Sequence, residues 1–351
     1  MRYPKDLKKG DTIGVAAPSF GCTFEPYRSQ LYSMMKTFKS MGYEVTPGEN
    51  CFKDDGIGIS TNPKDCAREL QEMYVSSGND CLFSAGGGEL MCETIQYLDF
   101  DELKSARAKW FIGYSDNTNF TFLLNTILDT AAIYGPCAPA FGQNPWHPAL
   151  QDAYAILTGE KKHVTGYRKW EKDSLKSAEN PLATYNVTED KKLRAYLNGE
   201  LVDLENSKVS SLKLSGRLLG GCIDCLSTLV GTRFDRVASF NERYFEDGIL
   251  WFLESCDLNP ISLRRTIWQL DQAGWFATAI GFLIGRPYHF GEEAFGLDMY
   301  EAVIGILKKY HVPILMDLDI GHLPPSVPII SGAKATVDVS GNDYTIYYEK
   351  V

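Results

Sequence analysis

Short apolar runs alternate with amphipathic stretches through the first 140 residues. Thr12 to Ala17 is a buried strand that Pro18 stops. Leu31, Met34, Met35, Phe38 and Met41 then recur at helical spacing, and Gly42 follows where a helix would end. Asn62-Pro63 opens a second helix carrying Cys66, Leu70, Met73 and Tyr74. Cys81 to Ala85 is a strand that runs into Gly86-Gly87-Gly88. Trp110 to Gly113 is another, followed at once by a helix through Phe120, Leu123, Leu124 and Ile127. Strands alternating with helices predict a parallel sheet covered on both faces, with any active site at the carboxyl ends of the strands.

Residues 150–210 break this rhythm. They are rich in Lys, Glu, Asn and Thr and show no strong period, so they read as a connector with partial structure, or as a loop over a site. Order returns at Gly216. Ile249 to Leu253 is a strand, Ile261 to Ala273 a helix ended by Gly274, and Ala279 to Ile284 and Pro313 to Met316 are further strands. Ala335 to Val339 and Tyr344 to Tyr348 flank Ser340-Gly341-Asn342-Asp343, a hairpin signal. The expected organisation is an N-terminal α/β domain over 1–150, a connector or active-site loop over 151–210, and a mixed α/β domain with some antiparallel sheet over 211–351.

Composition excludes several function classes. The chain of 351 residues is 44% hydrophobic and 23% charged, as expected of a globular protein. Its formal net charge of −10 does not suit a nucleic-acid binder or a protein held on an anionic membrane. The N-terminus lacks an apolar h-region, and no apolar run reaches membrane-spanning length, so a cytoplasmic location is expected. Nine irregularly spaced cysteines read as free thiols of a reducing compartment. Cys222 and Cys225 form a lone C-x-x-C in the apolar stretch from Leu218 to Val230, which points to buried helix packing rather than a metal or redox site. The five histidines show no ligand spacing, and no metal or cofactor is expected.

Candidate chemistry sits at strand ends. Gly113-Tyr114-Ser115-Asp116-Asn117 lies between a strand and a helix, as a nucleophile elbow would. Asn117 stands where the usual second glycine would be, and Asp116 and Asn117 also fit helix caps. Gly86-Gly87-Gly88 suits an oxyanion hole, a phosphate cradle or a plain tight turn. Glu254 ends an apolar strand, whereas Asp257 and Asn259 look like the turn before the next helix. His322 lies in a loop between Gly321 and the Pro324-Pro325 pair, which suits a fixed imidazole, although lone loop histidines are usually plain surface residues. Together they make a chain order Ser, Glu, His, each just after a strand.

Five blocks resemble the LD-carboxypeptidase family, which also includes the microcin C self-immunity peptidases. They are Gly10 to Ser19, Phe111 to Asp116, Gly216 to Gly221, Leu250 to Glu254 and Gly321 to Pro328, in family order over almost the whole chain. The resemblance implies a serine peptidase with a triad of Ser115, Glu254 and His322 and no metal. It implies an oxyanion hole from the N–H groups of Asp116 and Gly87. It further implies an N-terminal domain like that of class I glutamine amidotransferases and a C-terminal swivelling β/β/α domain, often paired as a homodimer. Typical members release the terminal D-alanine from a muropeptide tetrapeptide in cytoplasmic cell-wall recycling. One departure stands out. The family turn often reads Arg-Gly-Gly-Tyr-Gly, and here it is Gly86-Gly87-Gly88-Glu89-Leu90. Gly88 and Glu89 become candidate substrate contacts, because a carboxylate there could bind the free ammonium of a diaminopimelate or lysine side chain, or equally repel a substrate carboxylate.

Three further readings stay open. Arg264 and Arg265 could clamp a terminal carboxylate, or simply pair on their helix. Trp170 could stack on an adenine if the substrate were a peptidyl or aminoacyl nucleotide, or anchor its own loop. A binding protein that had lost its chemistry is a different class, which the presence of all three triad residues opposes.

Overall fold

The computed structural model describes residues 1–205 and 211–349. Residues 206–210, the last of the expected connector, and residues 350 and 351 at the end of the C-terminal region lie outside the described residues. The chain forms two units. One comprises Met1–Lys161, Asp173–Asn186 and Pro328–Ser331; the other comprises Lys162–Lys172, Val187–Val327 and Gly332–Val351.

The first unit is built on a six-stranded sheet among the described residues. Its order is Ile329–Ser331, Ala132–Tyr134, Trp110–Gly113, Cys81–Ser84, Thr12–Ala16 and Glu44–Pro47. All neighbours are parallel except the Ile329–Ser331 edge. Cys81–Ser84 and Trp110–Gly113 are buried at every position. Successive side chains point to opposite faces, so full burial means that both faces are covered, as the continuous apolar runs predict. Helix Tyr27–Ser40 buries Leu31, Met34 and Phe38, each contributing roughly 1.5–3 kcal/mol. Helix Pro63–Val75 starts where expected: the Asn62 side chain accepts the Asp65 N–H at 3.0 Å, and Pro63 occupies the first turn.

The second unit carries a mixed sheet of nine strands among the described residues. Four parallel strands form its centre: Ser211–Cys222, Ile249–Glu254, Ala279–Gly285 and Ile314–Leu318. Antiparallel strands flank them, among them the expected hairpin of Lys334–Ser340 and Asp343–Tyr348. That hairpin alternates between buried and less buried positions, the pattern of a sheet with one solvated face.

One stretch is more regular than the sequence showed, and another differs from the sequence reading. The 151–210 stretch holds most of helix Pro148–Leu157 and five short strands between His163 and Val202. Each has three or four residues, too short and too polar to show a period of two. The apolar run from Leu218 to Val230 is the end of a strand followed by helix Ile223–Leu229. Cys222 is therefore a buried strand-end residue and Cys225 a half-buried residue of the helix, because an apolar run alone does not separate strand from helix. All nine cysteines are free thiols. Among the described residues no helix is long and apolar enough to cross a membrane.

Candidate active site

In the first unit, strand Trp110–Gly113 runs into Tyr114, which is extended, and then into Ser115 at φ +63°. A non-glycine residue in this left-handed region is strained by about 1–2 kcal/mol, so its surroundings must impose it. They do so through the two residues that follow. The buried Asp116 carboxylate accepts from the Ser19 hydroxyl, the Met91 N–H at 2.8 Å and the Asn119 amide at 2.9 Å. The Asn117 amide donates to the carbonyls of Gly86 at 2.8 Å and Tyr114 at 3.0 Å. The Tyr134 hydroxyl accepts the Ser115 N–H at 3.3 Å. Helix Thr118–Thr126 begins without a side-chain cap, so Asp116 and Asn117 brace the turn instead. Asn117 thus ties the elbow to the glycine turn from the position where a second glycine would leave no side chain. A Cβ at Gly113 would stand 2.9 Å from the Asn117 side chain, which explains the first glycine.

The glycine turn lies against the serine. A Cβ at Gly87 would stand 3.2 Å from both Cβ and Oγ of Ser115. Gly88 has φ +112°, and a Cβ there would run into Ser19 and the Gly58 carbonyl. Glu89 is exposed, and its N–H donates to the Gly58 carbonyl at 3.1 Å. Ser115, Asp116, Gly87, Gly88 and Glu89 therefore share one end of the parallel sheet, at the carboxyl ends of Cys81–Ser84 and Trp110–Gly113.

In the second unit, Glu254 is the last residue of strand Ile249–Glu254 and is 1% exposed. Its Oε2 lies 2.8 Å from His322 Nδ1. A carboxylate only accepts, so Nδ1 carries the hydrogen. Gly321 makes this approach possible: it has φ +105°, and a Cβ there would stand 2.5 Å from Glu254 Oε2. Burial alone would pull the imidazolium down, but the Glu254 carboxylate and the Cys256 thiol outweigh it. The imidazole is held well above its ordinary value. The turn after Glu254 is pinned by Asp224, whose carboxylate accepts the N–H groups of Cys256 at 3.1 Å and Asp257 at 2.8 Å. Sequence reasoning missed Asp224, since an acidic residue in a first helical turn looks like an ordinary helix feature. Cys222 stands opposite Glu254 in the sheet, and its thiol is pushed well up by the Cys225 hydrogen bond, burial and the Glu254 charge. A thiol so held is a poor nucleophile and a poor ligand. Among the described residues no group of three or more His, Cys, Asp or Glu side chains is placed to hold a metal.

Asn259, Arg264 and Trp170 take structural places. Asn259 caps helix Pro260–Gln272, accepting the Ser262 N–H at 2.9 Å. Arg264 donates to the Glu301 carbonyl at 3.1 Å and packs on Gly305, while Arg265 is exposed on the same helix. Trp170 is buried edge-on against Phe290 at 5.1 Å, with the Arg286 guanidinium 5.3 Å over its ring. It anchors its own segment.

Comparison with known proteins places the chain in a family. A "Probable murein peptide carboxypeptidase" of Bacillus subtilis is 24% identical over 96% of this chain and 92% of its own length. The solved structure of an MccF-like protein from Bacillus anthracis superposes with a TM-score of 0.79 at 22% identity, covering 99% of this chain and 100% of the other. The microcin C7 self immunity protein MccF, solved in complex with aspartyl sulfamoyl adenosine, matches with a TM-score of 0.78 at 20% identity over 99% of this chain and 98% of its own. Residues 13–135 match the LD-carboxypeptidase N-terminal domain and residues 215–337 the LD-carboxypeptidase C-terminal domain. With both domains present in order, the chain belongs to the LD-carboxypeptidase family.

Proposed function

We propose that the protein is a serine carboxypeptidase that releases D-alanine from a muropeptide tetrapeptide in cytoplasmic cell-wall recycling. The observation that carries the proposal is the elbow: Ser115 is held at φ +63° with Gly87 against its hydroxyl. In this reading Ser115 Oγ attacks the carbonyl of the penultimate residue and its proton passes to His322 Nε2. Glu254 holds the Nδ1 hydrogen and stabilises the imidazolium. The N–H groups of Asp116 and Gly87 receive the oxyanion. The intermediate collapses, and the amine of D-alanine leaves with the proton from His322. Water, deprotonated by His322, then hydrolyses the acyl-enzyme. The relative named for murein peptides supports the substrate class, and nine free thiols suit a reducing compartment. Gly88 and Glu89 border the substrate, with Glu89 receiving the side-chain ammonium of diaminopimelate or lysine.

The test is D-alanine release from such a tetrapeptide, followed by mass spectrometry, with Ser115→Ala alongside. Release by the wild type alone is expected. Equal release by both proteins would refute the serine mechanism, and release by neither would refute the substrate.

The second reading is an amidase acting on aminoacyl or peptidyl nucleotides, which the MccF complex with aspartyl sulfamoyl adenosine favours. Here the aromatic residue expected to stack on the base, Trp170, is already packed under Phe290 and Arg286. Tight binding of adenosine monophosphate would nevertheless support this reading over the first.

A further inference from the structure

We infer that the buried Arg286–Asp319 ion pair, with Tyr344 and residues 167–171, is the device that positions His322. The inference rests on the reading of His322 as the catalytic base.

His322 sits on a loop whose neck is closed by one hydrogen bond, from the Val327 N–H to the Asp319 carbonyl at 2.8 Å. Within it, the Gly321 N–H donates to the Ser326 hydroxyl at 3.3 Å. Several of the contacts that fix the loop converge on Asp319, which is fully buried. One carboxylate oxygen pairs with Arg286 Nη2. The other accepts the Tyr167 N–H at 2.7 Å and the Tyr344 hydroxyl at 3.2 Å. The Asp319 N–H in turn donates to the Tyr344 oxygen at 3.0 Å. Arg286, 1% exposed, also donates to the Asp317 carbonyl at 2.9 Å and lies over Trp170. The Glu171 N–H holds the far side of the loop through the Pro324 carbonyl at 2.6 Å.

An ion pair this deep is a weak stabiliser, because desolvation cancels most of the attraction. This one is also incompletely satisfied: Arg286 Nε finds no acceptor among the described residues. A pair kept for stability alone would gain from replacement by apolar side chains. What it supplies is a fixed position for a residue three places further on. The titratable groups facing His322 are Glu254 at the strand end and Cys256 in the turn after it. Holding the loop therefore sets one distance, that from Nδ1 to Glu254.

The test compares wild type with Asp319→Asn and with the double variant Arg286→Met, Asp319→Leu, in which an apolar pair replaces the ions. Turnover and the NMR titration of the His322 imidazole are measured together. A shift of the imidazole by about 1 Å costs on the order of 10²-fold in rate. Both variants are therefore expected to lose roughly that in kcat with KM nearly unchanged, and the His322 midpoint should move down toward its ordinary value. The double variant leaves the Tyr167 N–H and the Tyr344 hydroxyl without their carboxylate acceptor, so it should unfold below the wild-type temperature while remaining folded at assay temperature. Wild-type kcat and an unmoved midpoint in a folded double variant would overturn the inference. Should both variants fail to fold, Tyr344→Phe, which removes a single oxygen, takes their place with the same two readouts and a loss of about tenfold in kcat. If the wild type hydrolyses no muropeptide, the titration still decides the positioning role separately from the substrate.

Discussion

Ser115 and Gly321 are opposite solutions to one steric problem. At Gly321 a positive φ and a close carboxylate are accommodated by removing the side chain. At Ser115 the positive φ is imposed on a residue whose hydroxyl the proposed mechanism uses, and Asp116 and Asn117 hold it there. Ser115→Gly should therefore be more stable than Ser115→Ala by up to about 1 kcal/mol in denaturant titration, because only glycine is relaxed in that region. Both variants should lose on the order of 10⁴–10⁶ in turnover. Gly321→Ala should destabilise the protein by about 1–3 kcal/mol, read from the same titration, and should abolish activity by driving His322 off Glu254. The glycine and proline frame of His322 was legible in the sequence. The strain at Ser115 was hidden, because Asn117 replaces the glycine that usually advertises it.

Strand ends organise the chemistry. Glu254 ends a buried parallel strand and Ser115 and His322 each follow one, and these strands were legible because burial on both faces makes them largely apolar runs. The Glu254–His322 pair also sets a pH dependence. Glu254 and Cys256 hold the imidazole above its ordinary value against the pull of burial, so it loses its proton and becomes a base at a higher pH than a free imidazole. The acid limb of kcat/KM should therefore have its midpoint above about 6.5. Glu254→Gln should move that midpoint down, since burial then acts without the opposing carboxylate. A limb at or below 6.5 in the wild type would contradict the pairing. The same raised value means that the pair stabilises the fold fully below about 6.5, and that this contribution is lost as pH rises through the folded value. The short strands between His163 and Val202 escaped the sequence reading because three residues carry no period. They nevertheless include the backbone that grips the His322 loop.

For the whole molecule, the blocks that carry the family resemblance hold the proposed reacting groups, while their supports are scattered. Arg286 and Asp319 lie 33 residues apart, and Tyr167 lies 152 residues from Asp319. No local pattern announces such partners. Specificity is the property least constrained by family, because Glu89 departs from the usual turn. Glu89→Gln should raise KM severalfold for substrates with a free side-chain ammonium and leave acylated ones unchanged, as competition kinetics would reveal. The central claim is that Ser115 is a nucleophile activated by His322 and Glu254. A fluorophosphonate tests it most directly, by intact mass and peptide mapping. A single adduct on Ser115 is expected, absent in Ser115→Ala and formed at least about 10³-fold more slowly in His322→Ala. An adduct elsewhere, or a rate unchanged without His322, would contradict it.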